Sequence, residues 1–173
     1  MLTKNFYNWL LATTSRKTVQ NGLVDIKGTT YSVCVTSTDY NRIFSGANII
    51  RNSNATSEGV HIGTGTTPAS ADDYKLEAQI NSGYSQTYAD SVSINVDADG
   101  VFVFASIAVT NTSTEELTIS EIGLTGKVCN SSATSNNTCL ALIDRTVLEE
   151  PITINPNETK QLTYTIRMNY PTV

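Results

Sequence analysis

Leu162-Thr-Tyr-Thr-Ile-Arg-Met-Asn-Tyr170 alternates strictly: Leu162, Tyr164, Ile166, Met168 and Tyr170 fall on one side of an extended chain, and Thr163, Thr165, Arg167 and Asn169 on the other. A period of two means a strand with one face on a core and the other on solvent or a partner. Working back from it, Pro151-Ile-Thr-Ile-Asn-Pro156, Ala141-Leu-Ile-Asp-Arg-Thr-Val-Leu148 and Ser120-Glu-Ile-Gly-Leu124 are equally strand-like, and the four segments read as strands of one antiparallel sheet. Val101-Phe-Val-Phe-Ala-Ser-Ile-Ala-Val109 is apolar on both faces, as expected of a central strand covered on both sides. Strands near 87–96, 101–110, 116–125, 139–147 and 160–170, joined by short turns, exclude a βαβ arrangement. They predict an all-β fold, an antiparallel β-sandwich of immunoglobulin-like or jelly-roll-like type.

Upstream, Leu23-Val-Asp-Ile26 and Thr30-Tyr-Ser-Val-Cys-Val35 read as a hairpin turning at Lys27-Gly28. Residues 37–57 follow no steady period and form a mixed segment. Val60-His-Ile is a strand that ends in the turn Gly63-Thr-Gly-Thr-Thr-Pro68, with Thr67 as an N-cap and Pro68 opening a helical turn through Asp73. At the N-terminus Leu2, Phe6, Trp9 and Leu10 recur at helical spacing, and Thr3 is a candidate N-cap. Residues 1–20 are therefore expected to be a short amphipathic helical arm preceding a sandwich domain of residues 21–173. The arm either folds back on its own domain or docks on a neighbouring subunit through Leu2, Phe6, Trp9 and Leu10. On the docking reading, replacing Phe6 and Trp9 by Ala removes the contact and leaves the sandwich folded.

With 173 residues the chain is long enough for one domain with its own core. Only 16% of residues are charged and the net charge is −5, with no basic stripe, so nucleic acid is not an expected partner. The apolar run Phe6-Tyr-Asn-Trp-Leu-Leu-Ala12 is far short of the roughly 20 residues of a membrane span, and no membrane partner is expected. Three cysteines cannot all pair. Cys34 reads as a small apolar strand residue, while Cys129 and Cys139, flanking a polar loop, come within disulfide reach if their strands pair.

The candidate chemistry is thin. Gly63-Thr-Gly-Thr-Thr-Pro68 lacks the third glycine of a dinucleotide loop and the Lys-Ser/Thr of a phosphate loop, so a turn explains it. Asn95-Val-Asp-Ala-Asp-Gly100 resembles the front of a calcium loop without its closing Glu, and a β-turn is the simpler reading. His61 is the only histidine, which leaves a histidine-based acid–base pair without its second member. Asp72, Asp73, Glu77, Glu115, Glu116, Glu121, Glu149 and Glu150 are the carboxylates from which a glycosidase pair would be drawn, and their spacing selects none of them. The Asn-x-Ser/Thr triplets at Asn54, Asn111, Asn130, Asn136 and Asn157 follow from composition. No cofactor or metal is expected.

Gly63-Thr-Gly-Thr-Thr-Pro-Ala-Ser-Ala-Asp-Asp-Tyr-Lys-Leu76, Ile119-Ser-Glu-Ile-Gly-Leu124, Arg145-Thr-Val-Leu148, Pro151-Ile-Thr-Ile154 and Thr163-Tyr-Thr-Ile-Arg-Met-Asn-Tyr-Pro171 occur in this order, after the opening Met1-Leu-Thr-Lys-Asn-Phe-Tyr7. In that block order the chain resembles small structural proteins of tailed bacteriophages, with the loop 129–139 as an insertion. The resemblance implies a non-enzymatic virion component of capsid-decorating, head-fibre or neck and tail type, made in the bacterial host cytoplasm. Its implied partners are other virion proteins and further copies of itself. The alternative is a carbohydrate-binding or host-adhesion sandwich, which requires exposed aromatics such as Tyr74, Tyr84 and Tyr88 along one open face.

Overall fold

The computed structural model describes residues 1–15, 17–33, 59–129 and 138–169. Cys34, the mixed segment 37–57, Asn130, Asn136 and Tyr170 lie outside the described residues. In chain order the elements are α1 (Lys4–Ser15), β1 (Val19–Val24), β2 (Thr30–Val33), β3 (Gly59–Gly63), β4 (Tyr84–Val96), β5 (Gly100–Asn111), β6 (Leu117–Cys129), β7 (Thr138–Ile154) and β8 (Thr159–Asn169). All pairings are antiparallel, forming a β1-β2 hairpin, a β3-β6-β7 sheet and a β4-β5-β8 sheet. The fold is all-β and sandwich-like with one short N-terminal helix, as the strand pattern predicts.

The two three-stranded sheets share a core. Val60, Ile62, Ile119, Leu124, Ile143 and Ile154 of one sheet join Ile107, Val109, Leu162, Tyr164 and Ile166 of the other in one buried cluster. On β8 the alternation holds as read: Leu162, Tyr164 and Ile166 are buried, while Thr163, Thr165 and Arg167 are exposed. Asp144, on β7, accepts the Tyr164 hydroxyl across this core and also pairs with the Met1 ammonium at 2.9 Å. Burial first, and the Asp144 charge second, push the Tyr164 phenol well above its ordinary value.

One expectation is corrected. The segments 120–124, 141–154 and 162–170 are not strands of a single sheet, because β8 pairs with β5 along eleven positions and belongs to the opposite layer. The reason lies in the turn before β8. Its residues bond to the end of β5, with the Asn157 amide donating to the Asn111 carbonyl and the Asn111 amide to the Glu158 carbonyl, so the chain crosses the core. Alternation reveals a strand's buried face and says nothing of its neighbour. The Asn111 side chain, 0% exposed, completes the corner by donating to the carbonyls of Glu115 (2.7 Å) and Ile154 (2.8 Å).

The N-terminal segment folds back on the sandwich. The Thr3 amide donates to the Ile143 carbonyl and the Arg145 amide to the Met1 carbonyl, so residues 1–3 lie along the edge of β7. An uncovered edge offers unpaired backbone groups to any strand, and this segment occupies them. Thr3 stands just before the helix, but its hydroxyl donates to the Leu142 carbonyl at 2.6 Å and makes no cap. Asn5 then exchanges two hydrogen bonds with the Val24 backbone, and Asn8 donates to the Gly22 carbonyl, which binds α1 to β1.

Candidate functional site

Three of the sequence blocks that carry the phage resemblance meet at Arg145. Its cross-strand partner is Gly123, whose missing side chain leaves room for Leu76 from the 64–80 loop; a Cβ there would lie 2.8 Å from Leu76 Cδ1. Arg145 is 2% exposed, yet every nitrogen of its guanidinium has a partner. Nε donates to Glu121 at 2.7 Å, Nη1 to Asp73 at 2.8 Å, and Nη2 to the Thr67 carbonyl at 3.1 Å and Glu77 at 3.3 Å.

Glu121 is 0% exposed and equally committed. Its carboxylate accepts the amides of Gly65, Glu77 and Ala78 in addition to Arg145. The glycines of the Gly63–Pro68 turn are explained by this approach: a Cβ on Gly63 would fall 2.5 Å from Glu121 Oε1, and one on Gly65 2.6 Å from the same atom. The helical turn expected after Pro68 is a tight turn at Ser70–Asp73, closed by the Asp73 carboxylate on the Ser70 amide.

The electrostatics suit a latch. Burial works against the Arg145 charge, but hydrogen bonds and charge from Asp73 and Glu121 outweigh it, so the group is held above its ordinary value. Thr67, through its hydroxyl and then its amide, holds the Glu77 carboxyl below the usual range. A groove of about 250 Å³ opens over the latch, lined by Thr67, Asp72, Tyr74, Lys75 and Glu77. A general acid needs a carboxyl raised toward neutrality, and Glu77 is driven the other way. These side chains bind the 64–80 loop to the β3-β6-β7 sheet.

His61, 1% exposed, lies on the same face. It stands 2.8 Å from the Thr125 hydroxyl through Nε2 and 3.2 Å from the Gln79 amide nitrogen through Nδ1, a second tie between loop and sheet. Asp97 closes the turn before β5 by accepting the Asp99 and Gly100 amides. Among the described residues no group of three His, Cys, Asp or Glu side chains could hold a metal ion. Tyr74 stands in the 64–80 loop, over the β3-β6-β7 sheet, while Tyr84 is half-buried on β4 of the other sheet, so these two do not share one face.

The residues expected to dock divide into two groups. Phe6 is 2% exposed within its own fold, and Leu2 and Trp9 are half-buried against the same core, with the Trp9 ring 6.0 Å from Phe6. Leu10 is 41% exposed and points away, beside Tyr7 and Leu11. Tyr7, Leu10, Leu11 and Thr14 follow i, i+3, i+4, i+7 spacing and make the outer stripe of α1. Sequence reading missed Tyr7 and Leu11 because it took the largest apolar residues for one face. Asn5 and Asn8, the polar residues that turn inward to meet β1, were the available signal.

Cys129 pairs with Thr138 and Cys139 with Val128, one step apart across the β6–β7 ladder. Asn111, a potential glycan acceptor by its triplet, has its amide committed at the corner described above. No family model, curated protein or solved structure matches the chain.

Proposed function

We propose that this chain is a non-enzymatic structural component of a bacteriophage virion, acting through protein–protein contact. The observation that carries the contact reading is the distribution of exposed apolar side chains. Among the described residues, Met1, Tyr7, Leu10, Leu11 and Val96 are the large apolar ones left exposed, and four of the five belong to the N-terminal segment. Contiguous apolar surface of this kind marks interaction sites. The buried carboxylates, meanwhile, are used to secure a loop.

The virion setting rests on the block order quoted above, and the convergence of three blocks on Arg145 gives them a common structural purpose. Capsid-decorating, head-fibre and neck or tail positions all agree with this reading. Gold-labelled antibody against the chain, applied to gradient-purified phage particles from the source culture, tests it. Label on heads, necks or tails supports a virion component at that location. Particles free of the chain, by label and by mass spectrometry of their disassembled proteins, would refute it.

The interface variant must respect the packing. Phe6→Ala removes a buried ring, a change that costs about 3–5 kcal/mol, so it probes folding and not docking. Leu10→Gln with Leu11→Gln alters the exposed stripe alone and should reduce incorporation while the sandwich stays folded.

A further inference from the structure

The described sheet edges are covered or interrupted, with one exception. Residues 1–3 lie along β7, and the 64–80 loop follows β3 through the Ile80 amide on the Ile62 carbonyl and the Thr64 amide on the Ala78 carbonyl. β4 is broken by a register shift between Tyr88 and Val92. β8, the other edge of the β4-β5-β8 sheet, pairs with β5 in an unbroken register from Thr159 to Asn169 and contains neither proline nor glycine. Long, regular edges of this kind are the ones proteins usually blunt.

The ladder shows which backbone groups of β8 face outward. The Asn111 amide bonds to the Glu158 carbonyl in the same register, and bonded pairs alternate along antiparallel strands. The even-numbered residues of β8 therefore bond to β5, and the odd-numbered ones turn their N–H and C=O away from it. Among the described residues nothing takes up these groups at Gln161, Thr163 and Thr165, whose side chains are exposed as well. The two bases of the strand are balanced within the chain, Lys160 by Glu158 and Arg167 by Asp99. The edge is thus locally neutral on a molecule of net charge −5.

We infer that β8 pairs antiparallel with β8 of a second copy, joining two three-stranded sheets into one continuous sheet. The strand matches itself. End-to-end pairing sets Thr159 opposite Asn169, Gln161 opposite Arg167 and Thr163 opposite Thr165, so outward-bonding residues meet along the full length. Like charges are nowhere opposed, and paired threonines at the centre suit cross-strand contact. Copies of net charge −5 repel one another, and a neutral edge is where they can approach. The contact is isologous and uses the same edge of both copies, so it closes at a dimer. The inference adds a self-contact to the assembly reading above and rests on that reading for its setting, not for its chemistry.

Sedimentation up to about 1 mM chain tests the contact, since even a millimolar interaction is half formed there. The wild-type mass should rise from 18.7 kDa toward twice that value and hold as salt is added, because backbone bonds carry the pairing. Over the same range hydrogen exchange at the Thr163 and Thr165 amides should slow. Thr163→Lys/Thr165→Lys and Thr163→Glu/Thr165→Glu, both at exposed positions, set like charges opposite each other and should stay at the single-chain mass at low salt. Mixed in equal amounts they should pair, which also shows that both are folded. Leu10→Gln/Leu11→Gln should dimerise like wild type.

A wild-type chain that stays at single-chain mass, Thr163 and Thr165 amides whose exchange ignores concentration, or a lysine variant that dimerises like wild type would overturn the inference. So would dimerisation lost in Leu10→Gln/Leu11→Gln, which would assign the contact to α1. A chain that never self-associates yet is present in particles would leave the virion reading standing. A chain that pairs through β8 yet is absent from particles would do the reverse.

Discussion

Replacing Arg145 by Met would remove the cation of the latch while keeping most of its buried volume. The side chain is 2% exposed and Glu121 is 0% exposed, so the variant strands a buried carboxylate with three backbone amides and no cation. Breaking a buried pair from one side costs about 3–5 kcal/mol. Asp73 and Glu77 are partly solvated, and their losses add at most about 1 kcal/mol each. Against a total stability of roughly 5–15 kcal/mol, the dominant loss is large. At about 2–4 °C per kcal/mol for a chain of this size, the thermal midpoint should fall by roughly 6–20 °C.

Urea unfolding followed by Trp9 fluorescence measures the global part, since Trp9 packs against Phe6. Trypsin measures the local part. Lys75 stands within the loop held by Arg145, so the variant should be cut there much faster than wild type under native conditions. Arg145→Lys should recover little, because one ammonium cannot replace a planar fork serving four acceptors. A loss below about 1 kcal/mol with unchanged cleavage at Lys75 would refute the latch.

Acid should weaken the fold through Glu77 and Glu158, whose carboxyls are held low by Thr67 and by the Asn155 amide, respectively. A carboxyl depressed in the folded state stabilises above its unfolded value of about 4.3 and loses that contribution as pH falls through its folded value. The thermal midpoint should therefore drop below about pH 4.3 and drop less in Glu77→Gln; an equal drop in that variant counts against the role of Glu77. Asn111→Ala takes the side-chain donor from the buried Ile154 carbonyl and leaves the Glu115 carbonyl to the Ser113 hydroxyl alone, so a loss of about 1–3 kcal/mol is expected, and one under about 1 kcal/mol in urea would sink the corner clasp. Gly63→Ala places a methyl 2.5 Å from Glu121 Oε1 and 2.7 Å from the Ala78 carbonyl, so about 1–3 kcal/mol of destabilisation is expected, and a neutral result would show that the loop can shift.

The site was legible only in pieces. Gly63, Gly65, Asp73, Glu77, Glu121 and Arg145 all stand out in the sequence, the glycines as a turn and the acids as undifferentiated carboxylates. Nothing in their spacing shows that one guanidinium gathers three of the acids from up to 72 residues away. The N-terminal helix was equally visible, but not its orientation. Helical spacing groups residues into faces, and which face is buried depends on the surface they meet. Here the backbone of β1 draws Asn5 and Asn8 inward and leaves Leu10 and Leu11 outside.

What the sequence by itself determined is local: the period of two on β8, the helix at the N-terminus, the turns at Asp97–Gly100 and Gly63–Pro68, and hence the all-β class. These follow from the geometry of one residue and its near neighbours, which alternation and turn chemistry report directly. Only the tertiary structure decided that β8 joins β5 and not β7, that residues 1–3 cover the edge of β7, and that Arg145 closes the loop over the sheet. Each of those outcomes is a choice among distant partners of similar local character. Such choices are settled by simultaneous satisfaction of buried polar groups and shared core volume, which no single stretch of chain contains.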